Sequence, residues 1–180
     1  TQNKQASPCV SRASSALIEM TGTAELAYDA ICALCQDEEI YERSQLLPQA
    51  RTILGDLLIS RSDPYPEAVL AQVDAILTAE ASSGRVMLTA SPEGMPTAKW
   101  FSLGTVGLAV YRGDICNLAV GAVVNAANDQ GLGCFQPRHK CIDNVLHRAA
   151  GPRLREECRH LMAQRGTPLS AGSAPLLTSG

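Results

Sequence analysis

The chain has 180 residues and a mass of 19.1 kDa, which is enough for one ordinary domain with a small addition but not for two large domains. Apolar residues make up 46% of the sequence and charged residues 18%, which excludes a disordered acidic tail. No stretch approaches the roughly 18 uninterrupted apolar residues of a membrane-spanning helix, and the net charge of −3 disfavours binding to duplex nucleic acid. These values predict a soluble globular protein whose partners include neither a membrane nor duplex nucleic acid.

The cysteine content indicates the redox compartment. Seven cysteines are an odd number in a chain that is too large to need disulfide staples, so we expect cytoplasm or another reducing intracellular compartment. The N-terminal residues have no continuous apolar segment, which predicts no secretory signal. Residues 1–15 are rich in serine and lack acidic side chains, which leaves a transit segment open as an alternative.

The first 81 residues show helical periodicity and predict a helical N-terminal extension. Apolar residues recur at intervals of three and four over residues 19–37, and a second apolar stripe covers residues 46–58 with an interruption at Pro48. Pro64 and Pro66 end that stripe and precede a third helix over residues 69–77. Residues 37–42 are expected to form a turn between the first two helices.

Two cysteines within the first helix form a C-x-x-C pattern, which elsewhere indicates redox chemistry or a metal. Cys32 and Cys35 share a face with Ile31 and Leu34, and no second pair of cysteines or histidine is nearby in sequence. We therefore expect both thiols to pack in the apolar core.

Residues 82–99 are rich in Ser, Gly and Pro and predict a linker. Beyond them the β-branched residues indicate strands over residues 106–111 and 120–124. Asp143 precedes an apolar helical pattern in the position of an N-cap. Gly151 and Pro152 break this pattern, which resumes over residues 154–162. Strands followed by helices predict the opening of a layered α/β domain.

A basic group of residues accompanies these helices, and it contrasts with the acidic N-terminal half. The charges suit a compact anion such as a phosphate ester, or else solvated helix faces. The residues are Arg138, Lys140, Arg148, Arg153, Arg155, Arg159 and Arg165.

The segment after the second strand places two thiols and an imidazole within eight residues. Cys134, His139 and Cys141 have the spacing C-x4-H-x-C, and thiolate with imidazole is a donor set that zinc prefers. Three ligands would leave one tetrahedral position open for water or substrate. Closure by a remote residue, such as Cys116 or His147, and the absence of any metal are the alternatives.

Polar residues follow both predicted strands, at the edge where open parallel sheets bind ligands. Asp114 follows the first strand, and Asn125 and Asn128 follow the second. The aspartate can accept hydrogen bonds from a ligand, and the asparagine amides can both donate and accept. Each can equally bond its own backbone in a turn.

Together these segments resemble the macrodomain family, and more narrowly its zinc-dependent branch of protein ADP-ribose hydrolases, in which a helical extension precedes the macrodomain. The resemblance is strong from residue 106 onward and loose before it. It is carried by the segments G-D-I at 113–115, V-V-N-A-A-N at 123–128, L-G-C-F at 132–135, H-x-C-I-D-N at 139–144 and H-R-A-A-G at 147–151.

The resemblance implies roles for individual residues. Asp114 would bind the adenine amine with Ile115 beside it, Asn128 would hold the distal ribose, and Asn128 and Asp143 would act in catalysis. One Zn²⁺ per chain would bind at Cys134, His139 and Cys141. The ADP-ribose would lie against Cys141, Ile142 and Asp143.

The implied fold is a three-layer α/β/α macrodomain that is incomplete at its C-terminus, with residues 100–180 as its N-terminal part. The glycine-rich loop that cradles the diphosphate is expected after residue 180, so hydrolysis by this chain alone is expected to be weak. The implied function is removal of mono-ADP-ribose from modified protein side chains, with ADP-ribose and ADP-ribosylated protein as partners. An ADP-ribose-binding module without turnover, and an inactive fragment with a structural zinc, are the alternatives.

Overall fold

The structure, a computed structural model, describes residues 8–35, 43–83, 87–175 and 177. Helices dominate both ends of this part of the chain, and short strands lie between them. The helices are α1 (Pro8–Cys35), α2 (Arg43–Leu46), α3 (Ala50–Ser60), α4 (Glu67–Ser82), α5 (Ile142–Ala150) and α6 (Pro152–Arg165), with 3₁₀ turns at Leu47–Gln49 and Ile115–Asn117. The strands are β1 (Leu88–Thr89), β2 (Lys99–Leu103), β3 (Val106–Val110) and β4 (Leu118–Ala119).

The predicted helical extension is present, and its three apolar stripes form one core. The second stripe is divided because Pro48 lies in the 3₁₀ turn between α2 and α3, where a missing backbone N–H costs no helical hydrogen bond. The turn predicted over residues 37–42 lies outside the described residues. The buried core residues are Ala27, Ala30, Ile31, Leu46, Ala50, Leu54, Val69, Val73 and Ile76.

The structure corrects the prediction that both cysteines of the C-x-x-C pattern pack in the core. Cys32 is half-buried, but Cys35 is exposed at the end of α1. The buried residues of α1 are Ala27, Ala30 and Ile31. Cys35 lies one turn beyond Ile31 on the same face, but it is the last residue of the helix, past the end of the buried core. Core packing of Cys35 was therefore the wrong prediction.

The strands form two separate two-stranded sheets within the described residues. β1 pairs with β4 in parallel, and β2 pairs with β3 in an antiparallel hairpin. β1 and the first residue of β2 lie within residues 82–99, where the sequence predicted only a linker. The mixture of helices and small sheets confirms the predicted α/β class.

The strand predicted over residues 120–124 is absent. β4 ends at Ala119, and the chain from Val120 to Val124 has no ladder partner among the described residues. Val124 is 85% exposed. β-branched residues favour a strand only where a neighbouring strand accepts their backbone hydrogen bonds.

Helices α5 and α6 dock on α3 and α4 through pairs of opposite charge. Arg148 Nη2 lies 2.5 Å from Asp56 Oδ1, and Arg153 binds Glu67 and Asp74 at 2.9 and 2.6 Å. The basic excess of the C-terminal half thus meets the acidic excess of the N-terminal half. Arg148 and Arg153 are thus paired with carboxylates on partly exposed helix faces. No helix in the described part of the chain is long and apolar enough to cross a membrane.

Candidate metal centre

The three residues predicted as zinc ligands lie together in the loop that precedes α5. The donor atoms of Cys134, His139 and Cys141 all lie within 4.8 Å of one another, and Cys134 Sγ is 3.5 Å from His139 Nδ1. We call residues 134–141 the ligand loop. Two thiols and an imidazole at this separation form a site that can hold a metal ion.

The ligand loop is fixed to the first turn of α5. The Asn144 side-chain amide donates to the backbone oxygens of Gln136 and His139, both at 2.8 Å. Cys141 is the N-cap of the helix, and its Sγ accepts from the Asn144 backbone N–H at 3.4 Å. Because Cys141 also faces the other two donors, the start of the helix and the metal site share one side chain.

Asp143 is not the N-cap that the sequence predicted. It lies inside the first turn of α5, where a carboxylate suits the positive end of the helix dipole. Its Oδ1 accepts from Asn125 Nδ2 at 2.6 Å and lies 3.4 Å from His147 Nε2. Since Asp143 and His147 are both buried, this carboxylate connects residues within the protein.

His147 is kept largely neutral by its surroundings. Burial lowers the pKa of the imidazole, Arg155 lowers it further, and the nearby Asp143 carboxylate opposes both effects. Neither His147 nor Cys116 belongs to the cluster of donor atoms in the described part of the chain. The two remote ligands considered from the sequence therefore do not close the site in this arrangement.

The residues that the resemblance assigned to ADP-ribose make local contacts in the structure. Asp114 is exposed and accepts from the Cys116 backbone N–H at 2.9 Å, so it caps the 3₁₀ turn, and Ile115 follows it within that turn. Asn128 donates to the Gly133 oxygen at 3.2 Å and accepts from the Gly131 N–H at 3.1 Å. Ile142 is half-buried at the start of α5. Their roles toward a ligand stay predictions.

The family match covers the part of the chain that contains the candidate metal site. Residues 124–180 match the Macro domain family. We call these residues the Macro segment, and it contains the whole ligand loop with both helices that follow it. The match agrees with the α/β class of the fold.

Several curated relatives are named for ADP-ribose chemistry. A "probable bifunctional ADP-ribose hydrolase/ADP-ribosyltransferase" of Fusarium oxysporum f. sp. cubense is 47% identical over 155 residues, which cover 82% of this chain and 26% of the relative. A "protein-ADP-ribose hydrolase" of Staphylococcus aureus (strain COL) is 43% identical over 67 residues, 37% of this chain and 25% of the relative. A relative of the same name from Treponema medium is 48% identical over 67 residues, which cover 37% of this chain and 26% of the relative. The chain spans about a quarter of the length of these relatives.

We did not predict from the sequence that Arg155 connects the Macro segment to the end of α3. The Arg155 side chain is almost fully buried, and its Nη1 donates to the backbone oxygens of Leu58, Ile59 and Arg61 at 3.2, 2.8 and 3.2 Å. A signal for this was available, since Arg155 lies three residues before Cys158 on the apolar stripe of α6. An arginine on such a stripe requires internal acceptors.

Proposed function

We propose that the chain carries the zinc site of a protein ADP-ribose hydrolase, which removes mono-ADP-ribose from modified protein side chains. The observation that carries this proposal is the convergence of the Cys134, His139 and Cys141 donors within 4.8 Å. The match of the surrounding residues to the Macro domain family and the printed names of the relatives support it. Its partners would be ADP-ribose and ADP-ribosylated protein.

The donor set fits zinc rather than magnesium or calcium, because both of those ions prefer oxygen ligands. Cys134 and Cys141 would bind as thiolates and His139 through its neutral imidazole. Three ligands leave one tetrahedral position for a water or a substrate oxygen. A zinc ion bound there would act as a Lewis acid or lower the pKa of a bound water. The thiolate ligands also support a reducing intracellular compartment.

The chain's own residues would place the ADP-ribose. One carboxylate oxygen of Asp114 caps the 3₁₀ turn, and the other would accept from the adenine amine with Ile115 alongside. Asn128 and Asp143 would act near the reacting ribose, with Cys141 and Ile142 lining the ligand. In this scheme Asn128 would exchange its bonds to Gly131 and Gly133 for bonds to the ribose hydroxyls.

One observation favours binding without turnover as a second candidate function. The Asp143 carboxylate is buried and already engaged by Asn125 and His147. A general acid or base must reach the proton that it transfers. In this second scheme Asp143 would order the site and transfer no proton, and a binding module needs no more than that from it.

Two exchanges of cysteine for serine test the proposal. Cys134→Ser removes one ligand, whereas Cys35→Ser changes an exposed thiol at the end of α1 and serves as the matched control. Zinc content, ADP-ribose binding by calorimetry and release of ADP-ribose from mono-ADP-ribosylated protein are measured for each. We expect one zinc per chain in the wild type and the control, and loss of zinc and release in Cys134→Ser.

The outcomes separate the candidates. Release that depends on Cys134 supports the hydrolase, and ADP-ribose binding without release supports the binding module. Undiminished zinc in Cys134→Ser contradicts the metal centre. Zinc without either ADP-ribose binding or release supports a purely structural metal site.

A further inference from the structure

A single buried arginine lies between the helical extension and the metal site. Arg155 is 1% exposed and its Nη1 donates to three backbone oxygens at the C-terminal end of α3. Those carbonyls have no further helical partners because the helix ends there. The guanidinium is therefore held by α3, although Arg155 belongs to α6.

The other side of the same guanidinium contacts the start of the ligand loop. Its carbon atom lies 4.6 Å from the centroid of the Phe135 ring, a distance typical of a cation–π contact. A Cβ placed on Gly133 would lie 3.0 Å from Arg155 Nη2. Phe135 and Gly133 are the two neighbours of Cys134, so Arg155 contacts the chain on both sides of a metal ligand.

We propose that Arg155 is a positioning residue for the metal site, which holds the backbone around Cys134 at a fixed distance from the end of α3. The inference rests on the proposed function, because it assigns Arg155 a part in metal binding. It makes the helical extension a component of the site, since α3 provides the carbonyls that orient the arginine. Groups that orient metal ligands commonly change affinity tenfold or more when they are removed.

The next turn of α6 provides a matched control. Arg159 donates to the backbone oxygens of Ser62 and Asp63, both at 2.9 Å, and its guanidinium lies 5.3 Å from the Tyr65 ring centroid. It thus binds the segment that directly follows the carbonyls of Arg155, by the same kind of contacts. None of its contacts given by the structure involves the ligand loop. A role limited to docking α6 on α3 predicts similar effects for both arginines.

The experiment compares four forms of the full chain: wild type, Arg155→Met, Phe135→Leu and Arg159→Met. Phe135→Leu removes the stacking partner and leaves the three carbonyl bonds of Arg155 intact, so it reports on the loop even where Arg155→Met folds poorly. Zinc affinity is measured by chelator competition. Hydrogen exchange of the His139 and Cys141 amides is measured in metal-free protein, because these N–H groups bond within the loop, to the Gln136 and His139 oxygens at 3.0 Å.

We expect Arg155→Met and Phe135→Leu to weaken zinc binding about tenfold and to accelerate exchange of the two loop amides. Arg159→Met should leave both quantities within about twofold of wild type. Unchanged loop exchange in Phe135→Leu, or equal changes in Arg159→Met, would overturn the positioning role. Failure of the wild type to bind zinc would instead contradict the proposed function, and the exchange data would still decide the role of Arg155.

Discussion

Three charged or titratable side chains are buried beside the ligand loop, and a different effect lowers the cost of burying each of them. Arg155 binds backbone carbonyls, and Asp143 accepts from Asn125. His147 remains neutral, because burial lowers its pKa more than Asp143 raises it. These contacts offset only part of the cost of burial, because Arg155 Nε, Arg155 Nη2 and His147 Nδ1 are buried without a hydrogen-bond partner among the described residues. The surroundings of the metal site are thus polar and ordered by specific contacts.

The lowered pKa of His147 predicts that acid destabilises the protein. Between the folded and unfolded pKa values the unfolded state binds more protons, so stability is complete above the ordinary value of 6.5 and decreases as the pH falls below it. Urea unfolding of metal-free protein at about pH 7.5 and about pH 5.5 measures this loss. His147→Gln should show a smaller loss than wild type. An equal loss in both proteins would contradict burial of a neutral imidazole.

Gly133 provides a second test of the packing around Cys134. Its φ of +88° is disfavoured for other residues, and an added Cβ would lie 2.9 Å from His147 Nε2 and 3.0 Å from Arg155 Nη2. Gly172 has a similar φ of +83° with no atom near the added Cβ. We expect both Gly→Ala changes to lower the free energy of unfolding by about 1 kcal/mol or more, because alanine disfavours a positive φ. Gly133→Ala should lower it further, because buried side chains must also move, and urea unfolding measures the difference. Equal costs would mean that the space behind Gly133 is not tightly filled.

At the scale of elements, the β2–β3 hairpin presents an apolar face to solvent. A two-residue turn at Gly104 and Thr105 joins the strands, and Gly104 has the positive φ that such turns require. One face of the hairpin carries Phe101 opposite Leu108 and Leu103 opposite Val106, and all four are more than half exposed. Exposed apolar patches on a sheet promote association.

We therefore expect concentration-dependent self-association of the chain, which the double change Leu103→Thr and Leu108→Thr should reduce. Threonine keeps the preference for strands while it removes apolar area. Ser102→Thr, on the opposite face of the hairpin, is the control and should leave association unchanged. Sedimentation velocity over a range of concentrations measures the effect. Equal association of all three proteins would show that this face is not the contact.

The sequence predicts the elements whose signals are local. The helices of the extension and the break at Gly151 follow from periodicity and from proline and glycine positions, and the ligand set follows from its spacing. Only the second strand of the hairpin was predicted, although the glycine-containing pair at Gly104 and Thr105 is a signal for a hairpin. Residues 120–124 were mispredicted because a strand depends on a distant partner. The first turn of α5 was mispredicted because Cys141, not Asp143, accepts from the Asn144 N–H.

At the scale of the whole molecule, the two ends of the described chain meet along α3, α4, α5 and α6. Arg148 and Arg153 form charge pairs with acidic residues of α3 and α4, and these pairs connect the two regions. Partly exposed pairs contribute little to stability, however. We therefore expect the apolar core beneath them to contribute most of the stability. No local pattern predicts such pairing, because Arg153 and Glu67 are distant in sequence.

Because the core should contribute more than the charge pairs, two substitutions should lower the free energy of unfolding by different amounts. Leu54→Ala in the buried core should lower the free energy of unfolding by about 2–5 kcal/mol. Arg153→Gln, which removes the ion pairs to Glu67 and Asp74, should lower it far less, and the difference from wild type should diminish in high salt. Urea unfolding at low and high ionic strength compares them. If Arg153→Gln lowered the free energy of unfolding as much as Leu54→Ala, the ion pairs would be the main contribution to the packing of α5 and α6 on α3 and α4.

We expect Cys134, His139 and Cys141 to bind one zinc ion and to leave one coordination position open. X-ray absorption at the zinc edge of the purified chain tests this most directly, because it distinguishes sulfur from nitrogen or oxygen neighbours. The expected result is two sulfur atoms at about 2.3 Å and two lighter ligands at about 2.0 Å, one of which is replaced when a competing anion is added. Three or four sulfur neighbours, or a chain that retains no zinc, would contradict it.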